Sequence, residues 1–411
     1  MLSKKFIQVL SLVLLAAATR ASAATPLRDV DPHDFVIMPW DSTPSDPAQL
    51  QLMKEAGLNI AGFCAPKDLP FVQAAGLSCF VSDPRVNGYD WVKMPPDSEL
   101  RKNVAALVHE VENNPAVLGF FLRDEPDASM MPQLGHVARL LMEALPQKWP
   151  YVNLLPTYAT NTQLGTPDYE TYLRRFVENL HPAFISWDNY SLLEGEMNDR
   201  FYTNLELVRH QSLESKIPFW NIILANSHFN YMEPADATFR LQVYSTLAYG
   251  GRGIQYFTYF APQGDNFRLA AIDHFGNRTA TWDMLRRINF EIRALAPTMI
   301  RLHSTGVYHS SDVPPQGHPI SESRLVQDVA LSTAGLQHPK PFRFLLGEFE
   351  DAQGRPYLML VNKDLQQSFQ YELHLKPQGK KLIWISPFTG EESRDQQSWL
   401  APGGGVLFRV E

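Results

Sequence analysis

The most informative stretch of this chain is Leu118-Gly119-Phe120-Phe121-Leu122-Arg123-Asp124-Glu125-Pro126. Its apolar residues follow one another without alternation, which is typical of a strand that is buried on both faces in a parallel sheet. The proline favours an extended conformation at the preceding residue and ends the ladder. The sequence therefore predicts two adjacent carboxylates, Asp124 and Glu125, at the carboxyl end of a buried strand. The alternative is that Asp124 only caps the following helix and Glu125 pairs with Arg123.

Similar units, each an apolar run followed by a helical pattern, repeat eight times over residues 35–297. The predicted strands are Phe35–Trp40, Ile60–Cys64, Cys79–Ser82, Leu118–Leu122, Tyr151–Leu155, Phe184–Trp187, Phe219–Leu224 and Gly253–Tyr259. This alternation predicts an α/β protein with a parallel sheet covered by helices, and eight units predict closure into a (β/α)8 TIM barrel. A doubly wound open sheet is the alternative, but no glycine-rich phosphate turn opens any of the helices.

The pattern changes after residue 298 to short strands separated by turns. The predicted strands are Phe342–Phe349, Pro356–Val361, Phe369–Leu375, Lys381–Ile385 and Gly405–Val410. They predict a small antiparallel β-sandwich over residues 299–411, behind a barrel domain over residues 24–298. We interpret the sandwich as a stabilising accessory domain rather than a sugar-binding one.

Residues 1–23 have the pattern of a secretory signal peptide. Lys4 and Lys5 precede an apolar stretch, Phe6–Ala18, and Ala21-Ser22-Ala23 offers a cleavage site of small residues. The apolar stretch is shorter than a typical membrane span. The sequence therefore predicts a secreted or periplasmic protein without stable membrane insertion.

The composition narrows the possible ligands and partners. The formal net charge of −8 argues against nucleic acid or an anionic membrane as the main partner. The two cysteines, Cys64 and Cys79, each lie in an apolar run, so buried thiols and a disulfide are both compatible with the sequence. There is no Cys-x-x-Cys or His-Glu-x-x-His pattern, and we expect neither a metal nor another cofactor.

The residues that follow each strand of a barrel converge on one mouth, where such enzymes carry out their chemistry. Here they are Trp40, Asp41, Asp83, Asp124, Glu125, Tyr158, Asp188, Tyr190, Asn226, His228 and Tyr259. This set is rich in carboxylates, aromatic rings and amides and poor in lysine. Aromatic faces stack on the C–H surfaces of sugars, while carboxylates and amides bind hydroxyl groups. The predicted ligand is therefore a carbohydrate.

Cleavage of a glycosidic bond needs a carboxylic acid that protonates the leaving oxygen, and usually a second carboxylate. Glu125 is the candidate acid, because Asp124 beside it and a partly closed mouth would raise its pKa. Asp188 is the leading second carboxylate, although a structural acid bonded to backbone is an equally good interpretation. The remaining candidates for that role are Asp41, Asp83 and Glu233. We interpret His228 as a donor to a sugar hydroxyl rather than as a general base.

The chain resembles the clan A glycoside hydrolases, including the family 42-like β-galactosidases, over roughly residues 35–297. The resemblance rests on Gly119-Phe-Phe-Leu-Arg-Asp-Glu-Pro126 and on Leu247-Ala-Tyr-Gly-Gly-Arg-Gly-Ile-Gln-Tyr-Phe-Thr-Tyr259. It implies a glycosidase with Glu125 as general acid/base and with Asp124 in the place of a sugar-contacting Asn. Such enzymes also have a nucleophilic Glu at the end of the seventh strand, but Ile222–His228 contains no acid.

Three interpretations follow from this departure. Glu233, a few residues further on, could be the displaced nucleophile of a retaining enzyme. Asp188 could be the base of an inverting enzyme, or could assist an N-acetyl substrate that supplies its own nucleophile. The site could also bind sugar without cleaving it. The sequence therefore predicts an exported glycoside hydrolase acting on a poly- or oligosaccharide, with a non-catalytic carbohydrate-binding barrel as the alternative.

Overall fold

The structure is a computed structural model that describes residues 29–193, 195–332, 342–394 and 398–411. The predicted signal peptide, residues 1–23, lies outside these ranges. Within them, no helix combines the length and the apolar character needed to cross a membrane.

Eight parallel strands form the first sheet of the molecule. They are β1 Val36–Pro39, β2 Ile60–Cys64, β3 Ser78–Val81, β4 Val117–Asp124, β5 Trp149–Leu154, β6 Ile185–Asp188, β7 Phe219–Leu224 and β8 Gly253–Phe257. Their order in the sheet is β1-β8-β7-β6-β5-β4-β3-β2, so β2 to β8 pair successively along the chain and β1 pairs with β8. This arrangement confirms the predicted eight-stranded barrel.

The edge strands β1 and β2 lie side by side and nearly close the ring. The side-chain oxygen of Asn59 accepts a hydrogen bond from the Ile37 N–H at 2.9 Å and replaces part of the ladder. Nearer the mouth, the Phe63 N–H donates to the Asp41 carbonyl at 2.9 Å. A Cβ atom at Gly62, where φ is 97°, would lie 2.3 Å from that carbonyl oxygen, so this close approach requires glycine.

Helices follow the strands and cover the outside of the barrel. They are α1 Pro47–Glu55, α2 Leu69–Ala74, α3 Pro84–Asn87, α4 Asp97–Val111, α5 Met131–Ala144, α6 Asn161–Leu164, α7 Tyr169–Leu180, α8 Asp199–Ser215, α9 Asp236–Ala248 and α10 Ala280–Met299. Several begin at side-chain caps: Asp46 accepts from the Ala48 N–H at 2.9 Å, and Asp168 accepts from the Thr171 N–H at 2.6 Å. These caps fix the residues at which the two helices begin.

The interior of the barrel is filled by side chains. Phe80, Tyr151, Phe184 and Trp220 are all buried there, and the last two rings stack at 3.5 Å between centroids. Trp40 lies half-buried on top of this aromatic layer, edge-on to its neighbours. The aromatic layer therefore forms a solid floor beneath the mouth.

The C-terminal part consists of antiparallel strands in two layers, as predicted. Its main strands are β9 His303–His309, β10 Val326–Ser332, β11 Phe344–Glu350, β12 Pro356–Asn362, β13 Phe369–Leu375, β14 Leu382–Ile385 and β15 Gly405–Val410. The larger sheet contains β9-β11-β12-β15-β14, flanked by two short strands. In the smaller sheet β13 is central and pairs with β10 on one side and with the short strand Trp399–Leu400 on the other. A hydrophobic cluster that includes Leu358 and Phe408 of the larger sheet and Leu375 of the smaller one fits a β-sandwich.

The larger sheet packs against α9 of the barrel. A Cβ atom at Gly347 would lie 2.3 Å from the Ala248 carbonyl oxygen, and one at Gly405 would lie 2.2 Å from the Tyr244 ring. The two glycines therefore let helix and sheet approach closely. Leu247 and Phe349 belong to the same hydrophobic core, so the barrel and the sandwich share buried apolar contacts.

The cysteines lie on neighbouring strands of the barrel. Cys64 and Cys79 are buried free thiols, and the interaction with Cys64, together with burial, raises the pKa of Cys79. The structure thus has the thiol pair, not the disulfide, of the two forms that the sequence allowed.

Candidate active site

Strand β4 delivers two carboxylates to the mouth of the barrel. An irregularity between Phe121 and Arg123 shifts its pairing with β5, so that Asp124 lies opposite Asn153. The Glu125 backbone then turns into the left-handed region, with φ of 44°, and its N–H donates to the Asn153 carbonyl at 2.9 Å. This conformation costs a non-glycine residue about 1–2 kcal/mol, and such strain is concentrated at functional sites.

One buried amide orients two of the mouth carboxylates. Nδ2 of Asn153 donates to Asp188 at 2.8 Å and to Asp124 at 3.1 Å. Its Oδ1 accepts from the Ser186 hydroxyl at 3.2 Å, which fixes the orientation of the amide. Asn153 therefore uses both of its polar atoms to hold the carboxylates of β4 and β6 in place.

A second polar layer lies directly beneath Asn153. The Tyr151 hydroxyl is 2.9 Å from the Ser186 hydroxyl, and Nε2 of Gln255 donates to the same Ser186 oxygen at 2.9 Å. The Tyr151 hydroxyl also donates to the Gln255 side-chain oxygen. All three residues are buried, and a satisfied network in a low-dielectric interior is rigid. The carboxylates therefore rest on a preorganised support.

The carboxyl groups of Glu125 and Asp188 lie close enough for each to shift the pKa of the other. Burial raises the pKa of Asp188, which is 6% exposed, well above its usual value, and the charges of Glu125 and Asp124 raise it further. Lost hydration within the mouth and the Asp124 charge also raise the pKa of Glu125, although its side chain remains in contact with solvent. These shifts favour the protonated form of Asp188 beside the more exposed Glu125.

Asp124 completes the group. Burial raises its pKa, while the hydrogen bond from Asn153 and the charge of Arg123 oppose that increase. Its negative charge acts on both members of the Glu125–Asp188 pair and favours their protonated forms. The structure therefore brings together three of the predicted residues, with Asp124 as a charge that favours retention of the proton.

Aromatic rings form one wall beside the carboxyl group of Asp188. Tyr190 stacks on Phe257 with 5.1 Å between centroids, and Tyr231 lies edge-on to Tyr190 at 6.1 Å. Burial, followed by the charge of Asp188, raises the pKa of Tyr158, Tyr190 and Tyr231. These phenols therefore stay protonated near neutral pH and can donate hydrogen bonds to a ligand.

His228 and Asn226 follow β7, where the resembling enzymes have an acid. Nδ1 of His228 lies 2.8 Å from the side-chain oxygen of Asn226, whose Nδ2 donates to the Thr258 hydroxyl at 2.8 Å. Burial, followed by the Arg268 charge, lowers the pKa of His228. Because an amide oxygen can only accept, the neutral ring carries its proton on Nδ1 and has Nε2 as an acceptor. In this tautomer Nε2 can accept a hydrogen bond from a ligand hydroxyl, while the donor role predicted for His228 stays a prediction.

Asp41 and Tyr259 follow β1 and β8, and both are hydrogen-bonded to other residues of the protein. One carboxylate oxygen of Asp41 accepts from the Tyr259 N–H at 2.7 Å and from the Phe260 N–H at 3.3 Å. The Tyr259 side chain is fully buried, and its hydroxyl accepts from Trp282 Nε1 at 2.9 Å. Both residues therefore join the loops after β1 and β8, and Tyr259 does not reach the open mouth.

Asp83 and Glu233 are also paired away from Glu125. Asp83 caps α3 through the Arg85 N–H and binds the Arg85 guanidinium at 2.8 Å, which lowers the pKa of Asp83. Glu233 is 64% exposed at its side chain and lies 3.6 Å from Arg268. These contacts account for both carboxylates without a role in the central pair.

The predicted site residues did not include Asn153, Ser186, Gln255 or Phe267. The first three had a signal in the sequence: each is a polar residue inside a strand predicted to be buried on both faces, and such a group needs a buried partner. Across the part of the chain that the structure describes, no three His, Cys, Asp or Glu side chains are grouped so that they could hold a metal ion.

Comparison with known proteins identifies relatives by fold alone. No family model and no curated protein matches the sequence. A catalytic mutant of a glycoside hydrolase family 42 β-galactosidase from G. stearothermophilus superposes with a TM-score of 0.60 at 9% identity, covering 92% of this chain and 98% of that one. A second structure, described as a glycoside hydrolase, superposes with a TM-score of 0.54 at 11% identity, covering 91% of each chain.

Other solved structures match over a smaller part of their length. The chain spans 60% of a β-galactosidase from the psychrophilic Marinomonas ef1, with a TM-score of 0.47 at 11% identity and 64% of this chain covered. The two superpositions that extend over nine-tenths of the chain include both the barrel and the β layers. The chain therefore has the barrel-and-sandwich fold of these glycoside hydrolases.

Proposed function

We propose that this protein is a glycoside hydrolase in which Glu125 protonates the leaving oxygen of a glycosidic bond. The observation that carries the proposal is the group of Glu125, Asp124 and Asp188 at the mouth of the barrel, with Asn153 holding the last two in place. A general acid must hold a proton until it reacts, and lost hydration together with the Asp124 charge raises the pKa of Glu125 in that direction. The fold likeness to glycoside hydrolases supports the same reaction class.

The other residues of the mouth would bind and orient the sugar. Trp40 and Tyr190 offer partly exposed aromatic faces, and Tyr158 offers a hydroxyl donor beside the acid pair. His228 offers an acceptor at Nε2. A screen of chromogenic glycosides and of plant and microbial polysaccharides tests the proposal: it requires release of a sugar or phenol from at least one substrate. Sugar-dependent thermal stabilisation without any cleavage would instead favour the non-catalytic carbohydrate-binding barrel.

The geometry of the pair bears on the second step of the reaction. Carboxyl groups that serve as acid and nucleophile lie roughly 5–5.5 Å apart, and an inverting pair lies roughly 6.5–9.5 Å apart to admit water. Glu125 and Asp188 instead influence each other's pKa, which favours a role for Asp188 in setting the protonation of Glu125. Glu233 is bound to Arg268 at the surface. We therefore propose that Asp188 sets the protonation of Glu125 and that the substrate supplies the nucleophile.

This mechanism predicts a preference for sugars with a 2-acetamido group, whose oxygen can attack the anomeric carbon. We expect 4-nitrophenyl N-acetyl-β-glucosaminide or N-acetyl-β-galactosaminide to be cleaved at least about tenfold faster than the matching 2-hydroxy glycoside. Glu233→Gln should retain most of the activity, because its carboxylate is exposed and paired. Initial rates with the four substrates measure both effects. Faster cleavage of the plain glycosides, abolished by Glu233→Gln, would identify Glu233 as the nucleophile instead.

We further propose that the protein is exported by its N-terminal segment, with the positive residues, apolar stretch and small-residue site described above. The expected mature chain begins at Ala24. N-terminal sequencing of protein recovered from the periplasm or the medium of an expressing bacterial culture tests this prediction. Recovery of the intact chain from the cytosol only would contradict it.

A further inference from the structure

Aromatic rings continue along the rim of the mouth beyond the carboxyl pair. Tyr190 stacks on Phe257, and His228 lies 5.6 Å from Phe257 between ring centroids. Phe267 stacks on His228 at 4.7 Å with 22° between the rings, and Phe229 follows at 6.5 Å from Phe267. We call these five rings the aromatic track. It starts two residues from Asp188 and ends at Phe229, which is 61% exposed.

The exposed end of the track is held in place by its backbone. Phe229 has φ of 47°, in the left-handed region that a phenylalanine rarely adopts. The Asn266 side chain binds this residue on both sides: its oxygen accepts from the Phe229 N–H at 2.6 Å, and its Nδ2 donates to the Phe229 carbonyl at 3.0 Å. An exposed aromatic ring on a strained backbone is unfavourable by itself. The fixed position of the Phe229 ring therefore favours a role in binding a ligand.

The loops after β7 and β8 are joined where they carry these rings. Ser227 and Arg268 exchange two backbone hydrogen bonds, each 2.9 Å long. This pairing directly adjoins the His228–Phe229 and Asn266–Phe267 segments and holds one against the other. The aromatic track therefore lies on two loops that are hydrogen-bonded to each other beside the mouth.

We propose that Phe229 and Phe267 form a stacking subsite for a second sugar ring of an oligosaccharide whose scissile bond lies at Glu125. The inference rests on the proposed function and extends it to substrate length. An aromatic face matches the C–H surface of a sugar ring. The exposed polar groups of Asp265, Asn266 and Arg268 around it match the hydroxyl groups at the ring edge. The aromatic rings and the polar groups around them adjoin the catalytic mouth, and together they can bind the next sugar unit of a glycan chain.

The test compares Phe229→Ala with Phe388→Ala, a matched control. Phe388 is 72% exposed and lies in the C-terminal β layers, outside the mouth. The substrates are gluco-, galacto-, xylo- and N-acetylglucosamine oligosaccharides of two to six units, together with their 4-nitrophenyl monoglycosides. For Phe229→Ala we expect kcat/KM to fall about tenfold on chains of three or more units and clearly less on the monoglycoside. Phe229→Trp should restore most of the loss, and Phe388→Ala should have no effect.

The outcomes separate this inference from the proposed function. If the parent protein cleaves oligosaccharides and Phe229→Ala has the same kcat/KM at every chain length, the proposed subsite is wrong, while the proposed hydrolase function is unaffected. An equal loss on the monoglycoside and the hexasaccharide also overturns the subsite. If no substrate is cleaved, calorimetric titration with the same oligosaccharides replaces the kinetics. Affinity that grows with chain length and is lost in Phe229→Ala then supports the subsite, and no binding to any oligosaccharide overturns it.

Discussion

Glu125→Gln is expected to reduce kcat on unactivated glycosides by about 10²–10⁴-fold while leaving sugar binding nearly unchanged. Glutamine keeps the size and the hydrogen-bonding reach of the side chain, but it cannot deliver a proton to the leaving oxygen. The side chain is also in contact with solvent, so the substitution buries no new polar group. Steady-state kinetics and calorimetric binding of the same oligosaccharide measure the two effects separately.

The leaving group provides an internal check on this prediction. A glycoside of an acidic phenol departs with little need for protonation, so its loss in Glu125→Gln should be much smaller than that of an alkyl glycoside. Glu233→Gln is the matched control, because it makes the same change at an exposed carboxylate on the rim. Full activity of Glu125→Gln on the alkyl glycoside would remove Glu125 from the role of acid.

The barrel was predictable because its strands are buried on both faces and its helices are capped by sequence-local groups. The predicted strand Phe219–Leu224 has the same first and last residue in the structure, because its six buried residues are bounded by a helix and a loop. Strand β4 is longer than predicted, because Arg123 and Asp124 continue the pairing with β5 after the shift in register. Apolar runs identify such strands, but they do not show how far polar residues extend the ladder.

The missed strands have a different physical cause. The first one, β9, reads His-Ser-Thr-Gly-Val-Tyr-His and is exposed at its start. β10 contains Gln327 and Asp328 among its apolar residues and pairs with β13 in a small sheet. Neither sequence is apolar or regular enough to indicate a strand. Their conformation depends on partners far along the chain, which a local pattern does not contain.

The strand ends were predictable as a set, but their individual surroundings were not. Asp41 and Asp188 both lie at the ends of barrel strands, yet one binds the backbone of the loop after β8 and the other is held by a buried amide beside Glu125. The difference depends on which groups from distant segments fill the same space. For Asp188 that group is Asn153, one strand away. Sequence spacing places a carboxylate at the mouth, and only packing decides whether it is free.

Asp188→Asn is the second substitution with a large expected effect. Asparagine can occupy the same space and accept from Asn153, but it cannot ionise beside Glu125. We expect kcat to fall by about 10–10²-fold. Asp188 lowers the pKa of Glu125, so with this carboxyl removed the pKa of Glu125 should rise. Because the acid must be protonated to act, the alkaline limb of the pH profile of kcat/KM should move to higher pH.

The same substitution has an opposite effect on stability. Burial raises the pKa of Asp188 in the folded protein above its ordinary value of 3.8. Between those two values the folded state binds more protons than the unfolded state, so stability falls as pH rises through that window. An asparagine does not ionise and avoids this loss. We expect the Tm of Asp188→Asn to exceed that of the parent by a few degrees at pH 7, and the difference to vanish below about pH 4.

Measured together, the two effects distinguish a catalytic pair from a structural one. A structural carboxylate would stabilise the fold, so its removal would lower Tm at neutral pH and leave the pH profile of the remaining activity in place. A group held near Glu125 for chemistry costs stability when it ionises, which is the trade-off expected at active sites. A variant that is slower, shifted to higher pH and more stable therefore assigns Asp188 to the control of Glu125 protonation, whereas a less stable variant with an unshifted profile contradicts that assignment.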